Sequence, residues 1–295
     1  MKILKNKGYG EIRIALIGKN GPEEITIRRN LALNFGDVVS AKIGAYHPVL
    51  HGYFAETSCG AIFLPTSEPL TTGQTVLAKI TKEVRADKDA TGLLVSDLEI
   101  TPEPEGYDIS DDEMDELIAD AMQADVAFAD GAKLHIEQTK VCWTIDVDSG
   151  KSTRPIREIN QKSCSEIARQ IHLKNMGGLI LVDFAGSKYG QKQLAENLTQ
   201  ALASDSLVTI KGWTRAGLFE IERKRTRSDL WHSCSDKNPV AVYYQVRRAI
   251  GRFKSANPHV LVSPEVFNLL QKSDVRAKLE PIFDKPISYF EIKEK

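Results

Sequence analysis

The feature that most constrains the fold is a strand–helix–strand pattern between Val141 and Asp183. From Val141 to Asp148, apolar residues alternate with polar ones, which is the period-two pattern of a strand with two unlike faces. The apolar positions of this strand are Val141, Trp143, Ile145 and Val147. The alternation predicts that Asp146 and Asp148 project from the same face.

The segment that follows predicts a loop, a helix and a second strand. Residues 149–155 are rich in small, polar and ring residues, which indicates a loop. Apolar residues then recur at helical spacing at Cys164, Ile167, Ala168 and Ile171. Gly177 and Gly178 end this helix, and the apolar run 179–182 predicts a strand that is covered on both faces and ends at Asp183. A helical crossover makes the two strands parallel, so Asp146 and Asp183 are predicted at one edge of one sheet.

Two carboxylates at the ends of adjacent strands can hold a hard divalent cation through oxygen. The alternative is that each aspartate forms a turn or caps a helix, which is the commoner role of a single aspartate at a strand end. The presence of two such residues beside a basic loop of Ser, Thr and Gly counts against the turn or cap role, and both interpretations stay open.

Three segments resemble the catalytic core of the ribonuclease E/G family, endoribonucleases of bacterial RNA processing and decay. They are IDVDSG (145–150), EIARQIHLKNMGGLILVDF (166–184) and TRAGLFEIERKR (214–225), in the family's order and spacing. The resemblance implies cleavage of single-stranded RNA to 3′-hydroxyl and 5′-phosphate ends, with Mg²⁺, or alternatively Mn²⁺, bound by Asp146 and Asp183. Asp148 is expected to join them as a catalytic residue. Most family members have asparagine there, so the carboxylate either strengthens metal binding or repels the phosphate.

Short strand-like segments between residues 35 and 100 predict a small closed barrel of the OB type. They are Val38–Ile43, His51–Glu56, Ala61–Leu64, Thr75–Ile80 and Gly92–Leu98. These segments resemble the RNA-binding barrel of the family, and on that match Phe54 and Phe63 stack on bases. The basic residues expected near phosphates are Lys42, Lys79, Lys82 and Arg85. The alternative for both phenylalanines is a place in the barrel interior.

Further RNA contacts are expected around the catalytic segments. The candidates are Lys151, Asn160, Arg169, Arg215 and Arg223. Asn160 matches a family asparagine and is expected to orient the site. Arg215 and Arg223 belong to a basic run, which is either a phosphate clamp or a solvated surface. Arg169 has the alternative role of a structural ion pair.

The resemblance also implies the domain organisation. The expected fold class is α/β, with a DNase I-like catalytic core, RNase H-like elements, an inserted OB-type barrel and a small α/β C-terminal domain. The expected units are an N-terminal hairpin of the RNase H-like subdomain (1–34), the barrel (35–101), a linker with the RNase H-like remainder (102–135), the DNase I-like subdomain (136–230) and the C-terminal domain (231–295). Ser110 and Glu113 form a capping-box pattern that starts a helix, whose acidic outer face is predicted to be solvated.

The chain departs from the family in two places. It passes almost directly from the barrel to the catalytic segments, without a counterpart of the family's pocket for the RNA 5′-monophosphate. Beyond Arg227 it offers only Cys234 in place of a cysteine pair, so no zinc is expected and any homodimer would lack a zinc link. Because the four cysteines are scattered without a CxxC pair, they indicate a reducing interior.

Composition adds few constraints on function. The formal net charge is -1, although acids cluster at 108–130 and bases at 215–227. No apolar run reaches the length of a membrane span and the N-terminus is unlike a signal peptide, so a cytoplasmic protein without a membrane partner is expected. The alternative to the nuclease is a non-catalytic RNA-binding protein on the same scaffold, and a third hypothesis is a DNA nuclease.

Overall fold

The computed structural model describes residues 1–235 except 9, 31, 85–87, 99–101, 103 and 187–189, together with residues 241, 242, 244, 245 and 248 and the backbone of 259–262 and 291–294. These residues form a four-stranded sheet, a closed five-stranded barrel, a six-stranded sheet and a two-stranded pair. The predicted mixed α/β architecture with an inserted closed barrel is therefore confirmed. No helix within these ranges has the length and apolar character needed to cross a membrane.

The N-terminal sheet is an antiparallel meander with one added strand. It consists of β1 (Lys2–Gly8), β2 (Glu11–Gly18) and β3 (Gly21–Arg29). The predicted hairpin corresponds to β2 and β3, whereas β1 was not predicted.

The closed barrel comprises β4 (Val38–His47), β5 (Gly52–Thr57), β6 (Gly60–Leu64), β7 (Thr75–Lys82) and β8 (Ala90–Val95). Its strand order, β4-β5-β6-β8-β7, is compatible with an OB-type barrel. Small and branched apolar residues fill its interior: Ala41, Ile43, Ala55, Ile62, Leu64, Ala78, Ile80 and Ala90. The predicted barrel and all five of its strands are confirmed, with shifts of a few residues at their ends.

Beyond the barrel, the chain returns to the N-terminal sheet. Strand β9 (Tyr107–Asp108) pairs in parallel with β1, and α1 (Asp111–Ala121) begins at the predicted capping box of Ser110 and Glu113. The predicted solvated acidic face is confirmed for Asp112, Glu113, Glu116 and Asp120, which are exposed. Asp111 and Asp115 differ, because both form ion pairs with the buried Arg13.

A second set of buried ion pairs, around Glu11 in the N-terminal sheet, lies beside Arg13. The carboxylate of Glu11, which is almost fully buried, accepts a hydrogen bond of 2.7 Å from Arg29 and another from Arg248. A buried charge is tolerated only when it is paired, so these contacts make Glu11 the centre of the cluster.

The six-stranded sheet contains the catalytic candidates. Its strands are β10 (Asp125–Ala127), β11 (Lys133–Gln138), β12 (Cys142–Asp148), β13 (Gly178–Asp183), β14 (Val208–Trp213) and β15 (Phe219–Arg223). They lie in the order β10-β11-β12-β13-β15-β14, and β12–β13 is the parallel pair. The predicted strand–helix–strand unit is confirmed, although its helix begins well before Cys164 and β10 was not predicted.

Two helices cover one face of this sheet. They are α2 (Ile156–Leu173) and α3 (Gln191–Ala201), and they enclose a core with the buried residues of β12 and β13. Leu179 and Leu181 point away from this core and are only partly buried. The expectation that β13 is covered on both faces is therefore wrong, and we call the uncovered side the open face.

The last described elements are short. Helix α4 (Leu230–Cys234) follows the sheet, and β16 (His259–Val262) pairs in parallel with β17 (Glu291–Glu294). Most of the expected C-terminal domain (231–295) lies outside the described residues. The boundaries of a C-terminal domain stay a prediction.

Glu83, just after β7, joins the barrel to the six-stranded sheet. Its carboxylate accepts hydrogen bonds from the backbone N–H groups of Phe35 and Ser228, each at 3.0 Å. Its own N–H donates to the carbonyl oxygen of Thr226 at 2.9 Å. Since residues 226 and 228 follow β15, this joint lies at the end of the sheet where β15 finishes.

The Glu11 cluster yields a prediction about stability. Glu11→Gln should lower the free energy of unfolding by about 3–5 kcal/mol, because it leaves buried arginines without their carboxylate. Glu116→Gln, on the exposed side of α1, is the matched control and should change little. Urea denaturation followed by circular dichroism measures both, and equal midpoints for the two variants would contradict the structural role of Glu11.

Candidate functional site

Asp146 and Asp183 meet at one edge of the six-stranded sheet. They are direct register partners at the carboxyl ends of β12 and β13. Both are exposed, whereas Ile145, Val147 and Val182 beside them are buried under the helices. Side chains alternate along a strand, so both carboxylates lie on the open face. The predicted placement of the pair is confirmed.

The neighbouring strands extend this pair into a row of ionisable side chains. Asp125, His135, Asp146 and Asp183 are successive register partners across β10, β11, β12 and β13. His135 Nδ1 lies 2.6 Å from Asp125 Oδ1. Neither Asp125 nor His135 was predicted as a site residue, although the alternation of KLHIEQ (133–138) places His135 on the polar face of its strand.

The charges of the row perturb one another. Burial raises the pKa of Asp146, and the nearby carboxylates of Asp183 and Asp148 raise this pKa further, while His135 and Lys133 lower it. The hydrogen bond to Asp125 raises the pKa of His135. Negative charge is therefore crowded around Asp146, and a cation bound there would relieve it.

The loop after β12 fixes Asp148. Asp148 Oδ1 accepts a hydrogen bond of 2.9 Å from the Gly150 N–H. Gly150 has a φ of 51°, and a Cβ on it would lie 2.3 Å from the carbonyl oxygen of Gly131, so a side chain cannot be accommodated here. Lys151 is exposed and its N–H donates to the same carbonyl at 3.2 Å. The loop thus lies against the turn before β11, at the edge that holds the carboxylates.

Asn160 lies in α2 and is nearly fully buried. Its Nδ2 donates a hydrogen bond of 2.8 Å to the carbonyl oxygen of Ala185, two residues after Asp183. Its Oδ1 is buried without a hydrogen-bond partner among the described residues. Asn160 therefore holds the chain segment behind Asp183 and is not placed to contact a substrate directly.

Arg215 is exposed in the turn between β14 and β15. Phe219, at the start of β15, is the register partner of Val182, so the turn before it lies at the same edge as Asp183. Trp213 packs against Phe219 and Phe184, with ring centroids 5.2 and 5.9 Å apart, respectively. This aromatic packing holds the turn beside the carboxylates, and a phosphate contact by Arg215 stays a prediction.

Two other arginines have structural roles. For Arg223 this differs from the expected phosphate contact, whereas for Arg169 it is the ion pair given as the alternative. Arg223 is buried, lies 2.7 Å from Asp205 and donates to Asn175 Oδ1 at 2.8 Å. It also pairs with Gly178, at the opposite end of β13 from the carboxylates. Arg169 binds Glu166 at 2.5 Å and the Pro22 carbonyl oxygen at 2.6 Å. The contacts of Arg223 with Asp205 and Asn175 and of Arg169 with Pro22 join residues distant in the chain, whereas the Arg169–Glu166 pair has the local i,i+3 spacing of a helix.

The barrel carries an aromatic pair on its outer surface. Phe54 and Phe63 are register partners on β5 and β6, with ring centroids 5.4 Å apart. They alternate with the buried Ala55 and Ile62, so neither fills the interior. Phe63 on β6 is the register partner of Thr91 on β8, and Thr91 is in turn the register partner of the exposed Lys82 on β7.

The remaining basic residues of the barrel have mixed placements. Lys42 is exposed and Lys79 is partly exposed, whereas Arg85 lies outside the described residues. A role in RNA binding stays a prediction for all of them.

The donor set at the sheet edge consists of carboxylate oxygens. No group of three or more His, Cys, Asp or Glu side chains in the described ranges could hold a metal ion by itself. Magnesium usually keeps several waters and takes only one or two protein carboxylates together with substrate phosphates. The Asp146–Asp183 pair fits such an ion, and manganese accepts the same oxygen donors.

Comparison with known proteins identifies relatives of this chain. The model of the ribonuclease E/G family matches residues 74–226, which is half of the chain. Ribonuclease G of Haemophilus influenzae is 30% identical over 181 residues, covering 53% of this chain and 37% of that protein. The chloroplastic ribonuclease E/G-like protein of Arabidopsis thaliana is 33% identical over 180 residues, covering 57% of this chain and 17% of that protein. Ribonuclease E of a Nostoc species is 35% identical over 132 residues, covering 42% of this chain and 19% of that protein.

The chain spans less than half the length of the curated relatives it matches. The matched region nevertheless contains two of the five barrel strands, β7 and β8, and the whole of the unit that brings Asp146 and Asp183 together. The extent of this match shows that the chain belongs to the ribonuclease E/G family.

Proposed function

We propose that this chain is a magnesium-dependent endoribonuclease that cleaves single-stranded RNA to 3′-hydroxyl and 5′-phosphate ends, with the six-stranded sheet as a DNase I-like core. The observation that carries the proposal is the register pairing of Asp146 with Asp183 on the open face. The names of the relatives, ribonuclease G and ribonuclease E, support RNA as the substrate.

The residues at the sheet edge would have different roles in phosphodiester cleavage. Asp146 and Asp183 would hold the ion, and Asn160 keeps the segment behind Asp183 in place. Arg215 and Lys151, exposed on the flanking loops, would contact the phosphates. The chemistry supplied by a bound magnesium ion is neutralisation of phosphoryl charge and a lowered pKa of the attacking water.

The barrel would supply affinity for single strands. A base can stack on Phe54 or Phe63 only when it is not paired within a duplex. Lys82 lies on the same outer surface and would neutralise backbone phosphate. Substrate binding is thereby separated from the carboxylates that act on the phosphate.

A non-catalytic RNA-binding protein is the second candidate. The observation that favours it is the absence, within the described residues, of a cluster of three metal-binding side chains. On this alternative the barrel would still bind RNA, and the acidic pair would be a remnant of a metal site.

The first test removes the carboxylates. Asp146→Ala and Asp183→Ala should each reduce magnesium-dependent cleavage of a single-stranded oligoribonucleotide below detection, because the ion loses one of its two ligands. RNA binding, measured by fluorescence anisotropy, should be largely kept. Asp89→Ala, at an exposed position before β8, is the control and should cleave normally.

Three results would contradict the nuclease as proposed. Binding without any cleavage by the unmutated protein would favour the RNA-binding alternative. Equal cleavage of the matching DNA would indicate a nuclease that ignores the 2′-hydroxyl. Undiminished cleavage by both aspartate variants would place the chemistry elsewhere.

A second test concerns the barrel. Phe54→Ala and Phe63→Ala should weaken RNA binding by about 1–3 kcal/mol for each base that loses its stacking partner. The cleavage rate at saturating RNA should stay the same, since the carboxylates are untouched. Tyr107→Ala removes an exposed aromatic ring from the N-terminal sheet and serves as the control. If all three variants bind RNA equally, the aromatic pair does not stack on bases.

A third test uses the perturbed carboxylate. Because the fold raises the pKa of Asp146, the protonated form adds stability below the ordinary pKa of aspartate, and this stability is lost as the pH rises through the raised value. Asp146→Asn should therefore raise the Tm of the protein in EDTA at neutral pH but not at low pH. Magnesium should raise the Tm of the unmutated protein more than that of the variant.

Asp89→Asn provides the matched control for thermal unfolding, since it removes an exposed carboxylate away from the site. If its Tm in EDTA at neutral pH equals that of Asp146→Asn, charge crowding at the sheet edge is not significant.

A further inference from the structure

The open face of the six-stranded sheet is strongly acidic. Its described carboxylates are Asp125, Glu137, Asp146, Asp148, Asp183, Glu220 and Glu222. The cations that the strands place on this face are Lys133, His135 and Lys211. A phosphate that approaches Asp146 and Asp183 therefore meets repulsion from most of its surroundings.

Two of the three cations are already engaged. His135 is hydrogen-bonded to Asp125 at 2.6 Å, and Lys211 pairs with Glu222 at 2.8 Å. The Nζ of Lys133 lies 3.8 Å from Asp148 Oδ2, which is too far for a hydrogen bond, and makes no hydrogen bond to any other described residue. Its side chain is 44% exposed. Lys133 thus keeps its three N–H donors for an acceptor from outside.

The carboxylate of Asp148 faces the ammonium group of Lys133. The two residues are register partners on β11 and β12. One oxygen of Asp148 is fixed by the Gly150 N–H, which leaves the other oxygen facing the lysine. This arrangement uses Asp148 within the protein and sets it apart from Asp146 and Asp183, whose carboxylates accept no hydrogen bond from the described residues.

Lys133 also lies close to the acidic pair. Its strand neighbour on the same face, His135, is the register partner of Asp146. The charge of Lys133 lowers the pKa of Asp146, against the effect of the surrounding carboxylates, so the two side chains interact electrostatically.

We infer that Lys133 binds a phosphate oxygen of the RNA beside Asp146 and Asp183, and that Asp148 positions its ammonium group and does not ligate the metal. The inference rests on the proposed function, because the phosphate must reach this edge of the sheet. An ammonium group donates strong, charge-assisted hydrogen bonds to phosphate oxygens, and here it offsets the third carboxylate of the site.

The experiment measures RNA binding without metal. In EDTA, Lys133→Met should weaken binding of a single-stranded oligoribonucleotide by about ten-fold and reduce the slope of log Kd against log salt by about 0.7, the value for one lost phosphate contact. Lys133→Arg should keep the slope. Lys211→Met, a lysine on the same face at the far side of the sheet, is the matched control and should keep both affinity and slope.

A second measurement separates positioning from metal binding. Manganese titration should give Asp148→Asn the affinity of the unmutated protein, whereas Asp146→Asn should bind the ion more weakly. Asp148→Asn should raise KM for RNA with little change in kcat, since it loosens Lys133 without touching the metal ligands.

The outcomes are distinct. The inference is overturned if Lys133→Met behaves like Lys211→Met, or if Asp148→Asn loses manganese affinity as Asp146→Asn does. If Lys133→Met changes the salt slope but the unmutated protein never cleaves RNA, the assignment of Lys133 stands and the proposed nuclease function fails.

Discussion

The parallel pairing of β12 with β13 is the interaction on which the rest of the site depends. Helix α2 connects the two strands and covers one side of them, so the buried Ile145 and Val182 determine which side chains face outward. Asp146 and Asp183 are register partners only because both strands end at the same edge. The loops that carry Lys151 and Arg215 reach that edge for the same topological reason.

On the proposed function, two surfaces that differ in charge would have different tasks. The barrel presents an aromatic pair, Phe54 and Phe63, whose attraction for bases does not depend on charge. The six-stranded sheet presents crowded carboxylates that repel RNA except where a cation or Lys133 offsets them. Glu83 joins the two units through backbone hydrogen bonds, so neither surface has to contribute residues to the joint.

Local patterns in the sequence predicted the elements more reliably than their contacts. Alternation around Asp146 and the apolar run before Asp183 placed both residues correctly, because the strand period is a local rule and a helical crossover makes the two strands parallel. The five barrel strands were predicted for the same reason. The role of Arg223 could not be predicted, since its burial against Asp205 is decided by tertiary packing, whereas the ion pair given as the alternative for Arg169 has the local i,i+3 spacing with Glu166.

The ion pairs of the buried Arg13 were not predicted for the same reason. The ion pairs of Arg13 with Asp111 and Asp115 join positions about a hundred residues apart, and no local pattern records them. The register of β12 and β13 also limits how this site can vary. Because side chains alternate with a period of two, a shift of either strand by a single residue would turn its carboxylate under the helices. Variation in chain length is therefore confined to the connecting loops, and the strand ends can change only by substitution.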